Sequence, residues 1–275
     1  MKVSKRFIVY LVLLAIVVAT MFLLWRNISH TADRKDLPWD FEEISEAGEL
    51  NVVTDYNSIG YFVSGDTVRG FQLEMLQALE MEWGIRVNLF IENSLEDNLK
   101  GLSDKRYDLI ARSIPVNTEL KEQIAFTVPI TLNKLVLVQR KAEFNDSIEP
   151  IRQHLDLAKR TIHVPFESPA ILRLNNLSHE IGDTIFIVED PVYEVEQLVI
   201  MVAAGDVDFT VCDEKIAMRL AETLPEIDVE TDISFTQLES WAVRDDSPVL
   251  LDSLNNWLSR FIKTRSFQQI QQRYY

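Results

Sequence analysis

Apolar residues along this chain recur with two periods, and the alternation between them predicts the architecture. "ELNVV" at Glu49–Val53 reads as a short strand, and "RVNLFIE" alternates Val87, Leu89 and Ile91 as a strand does. Between them, "GFQLEMLQALEMEWG" carries Phe71, Met75, Leu79 and Trp83 on one helical face, with Gly84 to end it. "SLEDNLKGLSDKRYD" predicts a short amphipathic helix that leads into the strand "DLIARSI". Strands separated by helices imply parallel pairing and an α/β sheet. A second cycle follows the strand Lys134–Lys141: "TIHVP", then a helix from "SPAILRLNNL" with Ser168 as N-cap and Pro169 at its first position. "TIFIVE" and "VDFTVCD" predict strands around the helix "VYEVEQLVIMVAAGD", and "EKIAMRLAETLP" a helix closed by Pro225. "ESWAVRDD" predicts a strand, and a Ser247–Pro248 cap opens a tail with Leu251, Leu254, Leu258 and Phe261 at helical spacing.

These cycles predict two α/β lobes. Residues 41–140 form the first part of lobe 1, 141–234 form lobe 2, and 235–275 return to lobe 1. Two crossings would make a hinge, and a cleft between lobes is a usual place for a ligand. A different pattern occupies the start of the chain. Lys2, Lys5 and Arg6 precede an uncharged run from Phe7 to Trp25. As a helix that run spans roughly 28 Å, close to the hydrocarbon thickness of a bilayer. It is longer than a signal-peptide core, and neither a small-residue cleavage site nor a cysteine for lipid attachment follows it. A buried core helix would need no basic flank. The expectation is therefore an uncleaved anchor at 7–25, with residues 1–6 cytoplasmic, a linker at 26–40 and the remainder across the membrane, in the periplasm.

Composition narrows the chemistry. The 275 residues carry 27 Lys and Arg against 43 Asp and Glu, a net charge of −16, which opposes a nucleic-acid partner. Cys212 is the single cysteine, so no intramolecular disulfide or thiolate cluster can form, and within an apolar strand it reads as a small buried hydrophobe. His30, His154, His163 and His179 are dispersed, with no zinc-type pair, phosphate loop or nucleophile elbow. No cofactor and no metal is expected.

The phrases "GELNVVTD", "RGFQLEMLQAL", "YDLIARSI", "AFTVPI", "AAGDVDFTVCDEKIA", "SWAVRDDSP" and "FQQIQQRYY", in this order, resemble the family 3 extracellular solute-binding proteins. Within that family the chain looks most like the solute-binding-like regulatory domain of membrane-bound lytic murein transglycosylase F, and the likeness runs from about Leu50 to Tyr275. The resemblance implies a two-lobed periplasmic-binding-protein-like fold of type II, with a two-strand hinge that closes on a small polar solute such as an amino acid or a cell-wall peptide. It implies ligand-facing aromatics among Tyr56, Tyr61 and Phe62, and a carboxylate-binding strand end at Arg112, Ser113 and Pro115. It also implies a second-lobe helix start at Glu167 and Ser168, and an acid for an α-amino group at Asp213. The family's arginine falls on Leu120. Neither Leu120 nor Lys121 reproduces a bidentate guanidinium fork. Arg112 could supply the cation instead, or could make only a salt bridge on the lobe surface. Asp213 could be a ligand contact or only an N-cap, and Tyr61 and Phe62 could be lobe packing; Trp241 and Tyr193 read as core or hinge packing.

An enzyme reading is weighed against this one. Lytic transglycosylases use a Glu-Ser pair on a helix of a separate catalytic domain. Here Glu167–Ser168 precedes a helix and Glu239–Ser240 falls in a strand, and the expectation is a module without that domain. The tether points to a sensor or to a partner of another envelope protein or of peptidoglycan, not to a freely diffusing receptor.

Overall fold

The computed structural model describes residues 39–275, together with Thr20. The anchor read at Phe7–Trp25 and nearly all of the linker thus lie outside the described residues. Among the described residues, no helix is long and apolar enough to cross a membrane.

The described chain opens with a helix that the apolar pattern does not announce, α1 (Phe41–Ala47). Its cap, Asp40, also serves a second helix. Asp40 Oδ1 accepts from Phe41 N at 2.8 Å and from Leu250 N at 2.7 Å, while Oδ2 accepts from Val249 N at 2.9 Å. The chain then forms β1 (Glu49–Thr54), a hairpin of β2 (Phe62–Ser64) and β3 (Thr67–Arg69), α2 (Phe71–Trp83), β4 (Arg86–Ile91), α3 (Leu95–Ser103) and β5 (Leu109–Pro115). Three short strands follow: β6 (Ile124–Phe126), β7 (Thr131–Asn133) and β8 (Leu135–Arg140). Next come β9 (Thr161–Pro165), α4 (Ala170–Ile181), β10 (Phe186–Asp190), α5 (Val195–Ala204), β11 (Thr210–Asp213), α6 (Glu214–Ala221) and β12 (Ile227–Asp232). The chain closes with β13 (Gln237–Arg244), α7 (Pro248–Phe261) and α8 (Arg265–Tyr274).

Two sheets result, one per lobe. The first has the order β4-β1-β5-β13-β6, with β7 also paired to β13; the second has the order β10-β9-β11-β8-β12. β1 runs parallel to β4 and β5, and β9 parallel to β10 and β11, as the strand-helix alternation predicts. β8 belongs to the second sheet, antiparallel to both β11 and β12. The crossing into the second lobe therefore lies near Lys134, not near Lys141. A strand so rich in branched residues reads alike in either lobe, and only its partners decide its sheet. Lys134 fixes the crossing: its Nζ lies 2.7 Å from Asp232 and 3.3 Å from Glu214, and its carbonyl accepts from Glu214 N at 2.9 Å. The tail folds as two helices. Thr264 caps the second, accepting from Phe267 N at 3.2 Å.

The first lobe packs Phe71, Met75 and Leu79 of α2 with Leu254, Trp257 and Leu258 of α7 against Leu50, Val52, Leu109, Trp241 and Val243 of the sheet. Each such side chain contributes roughly 1.5–3 kcal/mol of burial. Trp241 is a core residue, stacked 6.1 Å from Trp257 and donating from Nε1 to Gln72 at 2.7 Å. Tyr193, by contrast, is exposed and packs in neither core nor hinge. In the second lobe, Leu137, Ile162, Val164, Leu174 and Val211 form a core on one face of the sheet, and Val136, Val138 and Cys212 are buried on the other. Gly70 must be glycine: its φ is +150°, and a Cβ there would sit 2.0 Å from the Gly60 carbonyl oxygen.

One buried ionic cluster ties the first lobe to the end of the linker. Asp108, fully buried, accepts from Trp39 Nε1 and from Asn51 N, each at 2.9 Å, and lies 3.5 Å from Arg244 Nη2. Arg244 in turn donates to Tyr107 O at 2.6 Å and to Trp39 O at 3.1 Å. Asp108→Ala would leave buried Arg244 with only the exposed Asp246 carboxylate, 3.4 Å from its Nε, and should cost about 3 kcal/mol in urea unfolding; a loss below about 1 kcal/mol would show that the cluster is not a structural tie.

Candidate functional site

Strand alternation at the hinge builds the floor of the site. β7 and β13 pair antiparallel, with Thr131 opposite Glu239 and Leu132 opposite Leu238. Leu132 and Leu238 face solvent, so Thr131, Asn133 and Glu239 face inward and are buried. Each oxygen of Glu239 has a hinge partner: Thr131 Oγ1 donates to Oε2 at 2.9 Å, and Asn133 Nδ2 to Oε1 at 3.2 Å. Ser113, at the end of β5, also bonds this carboxyl. Burial raises the Glu239 pKa against these three bonds, and the nearby Asp55 carboxylate adds to the rise.

The second lobe contributes Asp213. It ends β11 immediately before α6, in the N-cap position, yet its side chain makes no cap hydrogen bond. The carboxyl instead faces the first lobe, where Glu239, Asp55 and Arg112 are its charged neighbours. Burial between the lobes, then Glu239 and Asp55, push its pKa up to about 7, with Arg112 pulling the other way. Arg112 is half-buried on the cleft side, not on the lobe surface. Its Nη1 donates to Asn93 O at 2.8 Å and its Nη2 lies 3.3 Å from Asp55 Oδ2. Leu120 packs on the apolar cluster of Ile110, Ile114 and Ile124, so the residue at the family's arginine position serves the core. Lys121 beside it is exposed.

The lobes touch around this centre. Ser58 N donates to Glu196 Oε1 at 2.7 Å, and the Arg219 guanidinium lies 5.7 Å from the Phe62 ring centroid. Phe62 also meets Tyr274 edge-on at 6.3 Å, so it holds the lobes together as well as packing in one. Tyr56 and Tyr61 form an edge-to-face pair at 6.4 Å beside the same loop, Tyr56 exposed and Tyr61 half-buried. Glu167 and Ser168 stand apart from the Asp213 centre. Glu167 is exposed, with φ +55°, in the turn before α4, and its amide donates to Glu189 Oε2 at 3.0 Å. Partial desolvation raises its pKa, as does a hydrogen bond with the first-lobe carboxyl of Glu96. α4 starts one residue later than the pattern predicts, with Pro169 in the cap position; Ser168 Oγ accepts only from Ala170 N, at 3.3 Å. Of the eight residues read from sequence, Arg112, Ser113 and Asp213 thus converge, Tyr56, Tyr61 and Phe62 line one wall, and Glu167 and Ser168 sit across the opening.

Sequence reasoning missed Glu239, Thr131, Asn133 and Asp55 as members of this centre. A glutamate at an inward position of the strand "ESWAV" was a usable signal, since an ionisable group is seldom buried without a partner. Cys212, beside Asp213, is a buried thiol whose pKa burial pushes well up, which suits packing and not nucleophilic attack.

Two α/β lobes, two connecting crossings and a carboxyl-lined interlobe floor define the class: a periplasmic-binding-protein-like fold. The chain belongs to the bacterial extracellular solute-binding proteins, family 3, which it matches over residues 50–275. Among solved structures, it is similar to an ancestral arginine-binding protein bound to arginine (TM-score 0.72, 18% identity, 83% of this chain and 98% of that one). It is also similar to an ABC-transporter binding component from Wolinella succinogenes complexed with lysine (TM-score 0.71, 18% identity, 82% and 95%). At such identities these likenesses speak for the fold. Curated relatives include the membrane-bound lytic murein transglycosylase F of Pseudomonas fluorescens, 24% identical over 86% of this chain and 48% of the relative. That of Desulfosudis oleivorans is 28% identical over 85% and 50%. The chain therefore spans about half the length of the curated relatives it matches.

The raised Asp213 pKa has a measurable consequence. A carboxyl at about 7 in the closed fold, against an ordinary 3.8, contributes stability that is complete below about 3.8 and is lost as pH rises through about 7. Asp213→Asn removes the ionisable group, so its Tm should exceed that of wild type above about pH 7, with the gap closing toward about pH 4. Thermal melts across that range check it, and parallel curves would show that Asp213 is well solvated.

Proposed function

We propose that this chain is a membrane-anchored, periplasmic solute-binding module. It takes a small polar solute, an amino acid or a cell-wall peptide, between its lobes, and closure is its output. The observation that carries the reading is the meeting of Asp213 from the second lobe with Arg112, Ser113 and Glu239 from the first. A zwitterion suits that meeting. Its ammonium would face Asp213, its carboxylate would face Arg112 and Ser113, and Tyr56, Tyr61 and Phe62 would wall the side chain. Glu167 and Ser168 would meet ligand only at the opening. Such a ligand touches both lobes and so favours closure by its differential affinity. The arginine and lysine held by the structural neighbours support an amino-acid ligand.

Anchoring rests on the basic flank and apolar run at residues 2–25. A tethered receptor reports to neighbours in the envelope better than it ferries solute. A second reading, a non-catalytic relative that binds peptidoglycan or a protein partner, is favoured by the transglycosylase relatives and by Leu120. Lytic cleavage by this module is not part of the proposal. Glu239 of one Glu-Ser pair lies in a strand on the hinge floor, and Glu167 of the other lies in an exposed turn. Release of anhydromuropeptides from purified sacculi would contradict that exclusion.

Thermal shift of residues 39–275 against the common amino acids and against muropeptides separates the two readings. Stabilisation by at least one small solute is expected, and none from either set would favour the partner-binding reading. For a ligand that stabilises, Arg112→Ala should weaken binding ten- to a hundredfold, about 1.5–3 kcal/mol for one charge-assisted contact. Unchanged affinity would remove Arg112 from the site.

A further inference from the structure

Two of the lobe-to-lobe contacts fall on one short loop of the first lobe. It runs from Asp55 to Phe62, after β1, and carries the aromatic residues of the cleft wall. Asn57 stiffens it from within as an Asx turn. Its Oδ1 accepts from Ile59 N at 3.0 Å and from Gly60 N at 2.6 Å, and its Nδ2 donates to Asp55 Oδ2 at 2.9 Å. Asn57 N donates to Tyr61 O at 3.1 Å. The Ile59 and Gly60 carbonyls accept from Phe71 N and Gln72 N, at 2.7 and 3.0 Å, which seats the loop on the start of α2. The amides of Asn57, Ile59 and Gly60 are thus satisfied inside lobe 1. The Ser58 amide, between them, crosses to lobe 2.

Glu196 receives it. This residue is half-buried in the first turn of α5, where the free amides of a helix start favour a carboxylate. Capping that helix does not require it, because Glu194 and Gln197 form the capping box, with Glu194 N donating to Gln197 Oε1 at 2.8 Å. Glu196 Oε1 accepts instead from Ser58 N, at 2.7 Å, a short bond to a charged acceptor and so of the stronger kind. The neighbouring helix α6 supplies a second contact. Its half-buried Arg219 holds the guanidinium 5.7 Å from the Phe62 ring centroid, a cation over an aromatic face. One contact grips the middle of the loop and the other grips its end.

We propose that Glu196 and Arg219 are positioning residues, a clasp that holds the second lobe on the aromatic loop and sets how tightly the module retains a solute without touching it. This deepens the solute-binding reading and rests on it. The labour is divided: Asp213 and Arg112 choose the ligand, while Glu196 and Arg219 hold the lobes over it. Apparent affinity scales with the population of the binding-competent form, so a clasp strengthens every ligand by one common factor and leaves selectivity alone. A plainer account makes Glu196 a helix-end charge and Arg219 a cation resting on a ring, each serving stability only. Under that account their removal lowers Tm and leaves affinity unchanged.

Hydrogen exchange at the Ser58 amide and calorimetric titration of L-lysine, L-arginine and L-glutamine decide between them, in wild type, Glu196→Ala, Glu196→Gln and Arg219→Ala. In Glu196→Ala the Ser58 amide should exchange about tenfold faster, and every probe that binds wild type should bind about tenfold more weakly. Glu196→Gln keeps an acceptor oxygen and should lose less, and Arg219→Ala should lose about threefold. Ratios between probes should stay within about twofold of wild type in every variant. Unchanged affinity in both alanine variants would overturn the clasp while leaving solute binding intact. Unequal losses among the probes would make Glu196 a ligand contact and overturn its positioning role. Unchanged Ser58 exchange in Glu196→Ala would overturn the clasp whether or not a probe binds. Failure of every probe to bind wild type, with Ser58 exchange faster in Glu196→Ala, would instead overturn the amino-acid reading and the affinity role that rests on it.

Discussion

The structure turns on the placing of carboxyls from two lobes in one poorly solvated space. Asp213 is brought by the second lobe, Glu239 by the hinge, and Asp55 by the loop after β1; Arg112 is the cation beside Asp55 and Asp213. One buried apolar cluster includes residues of both lobes, Leu50, Leu109 and Trp241 with Val136, Val138 and Cys212, while a second, around Leu137, Ile162 and Leu174, belongs to the second lobe alone. The lobes meet beside them through the Ser58–Glu196 bond and the Arg219–Phe62 contact. Unpaired carboxyls resist that approach, and a proton or a cation relieves it.

The hinge presents its carboxyl inward because β7 and β13 alternate so cleanly. Their outward residues, Leu132 and Leu238, are apolar and exposed; their inward ones, Thr131, Asn133 and Glu239, form a hydrogen-bonded set. A bending strand pair usually carries small or indifferent residues on its inner face. Here it carries an ionisable group, Glu239, on that inner face. The other acidic contact across the lobes, Glu167 with Glu96, lies at the exposed opening and has solvent to screen it.

Much of this was legible in the residues, and the reasons for the gaps are physical. Phe71, Met75 and Leu79 announce α2 by spacing, and the alternation of strands and helices announces the two sheets. Asp213 was reached through the family likeness, and its missing cap bond distinguishes it from a helix cap in a way that sequence cannot. Arg112 sits on the cleft side because β5 ends beside Asn93 and Asp55, partners far off in sequence. β8 was assigned to the wrong lobe since pairing partners, not composition, choose a strand's sheet. α1 is too short for a periodic signal and depends on Asp40, which caps two helices at once.

The central claim is that a ligand's ammonium takes the place of a proton at Asp213. Titration calorimetry of wild type with L-lysine near pH 6.5, repeated in buffers of different ionisation enthalpy, counts protons directly. With Asp213 at about 7, binding should release a substantial fraction of a proton, and the release should fade toward about pH 8.5. Lysine binding with no proton released at either pH would contradict the account.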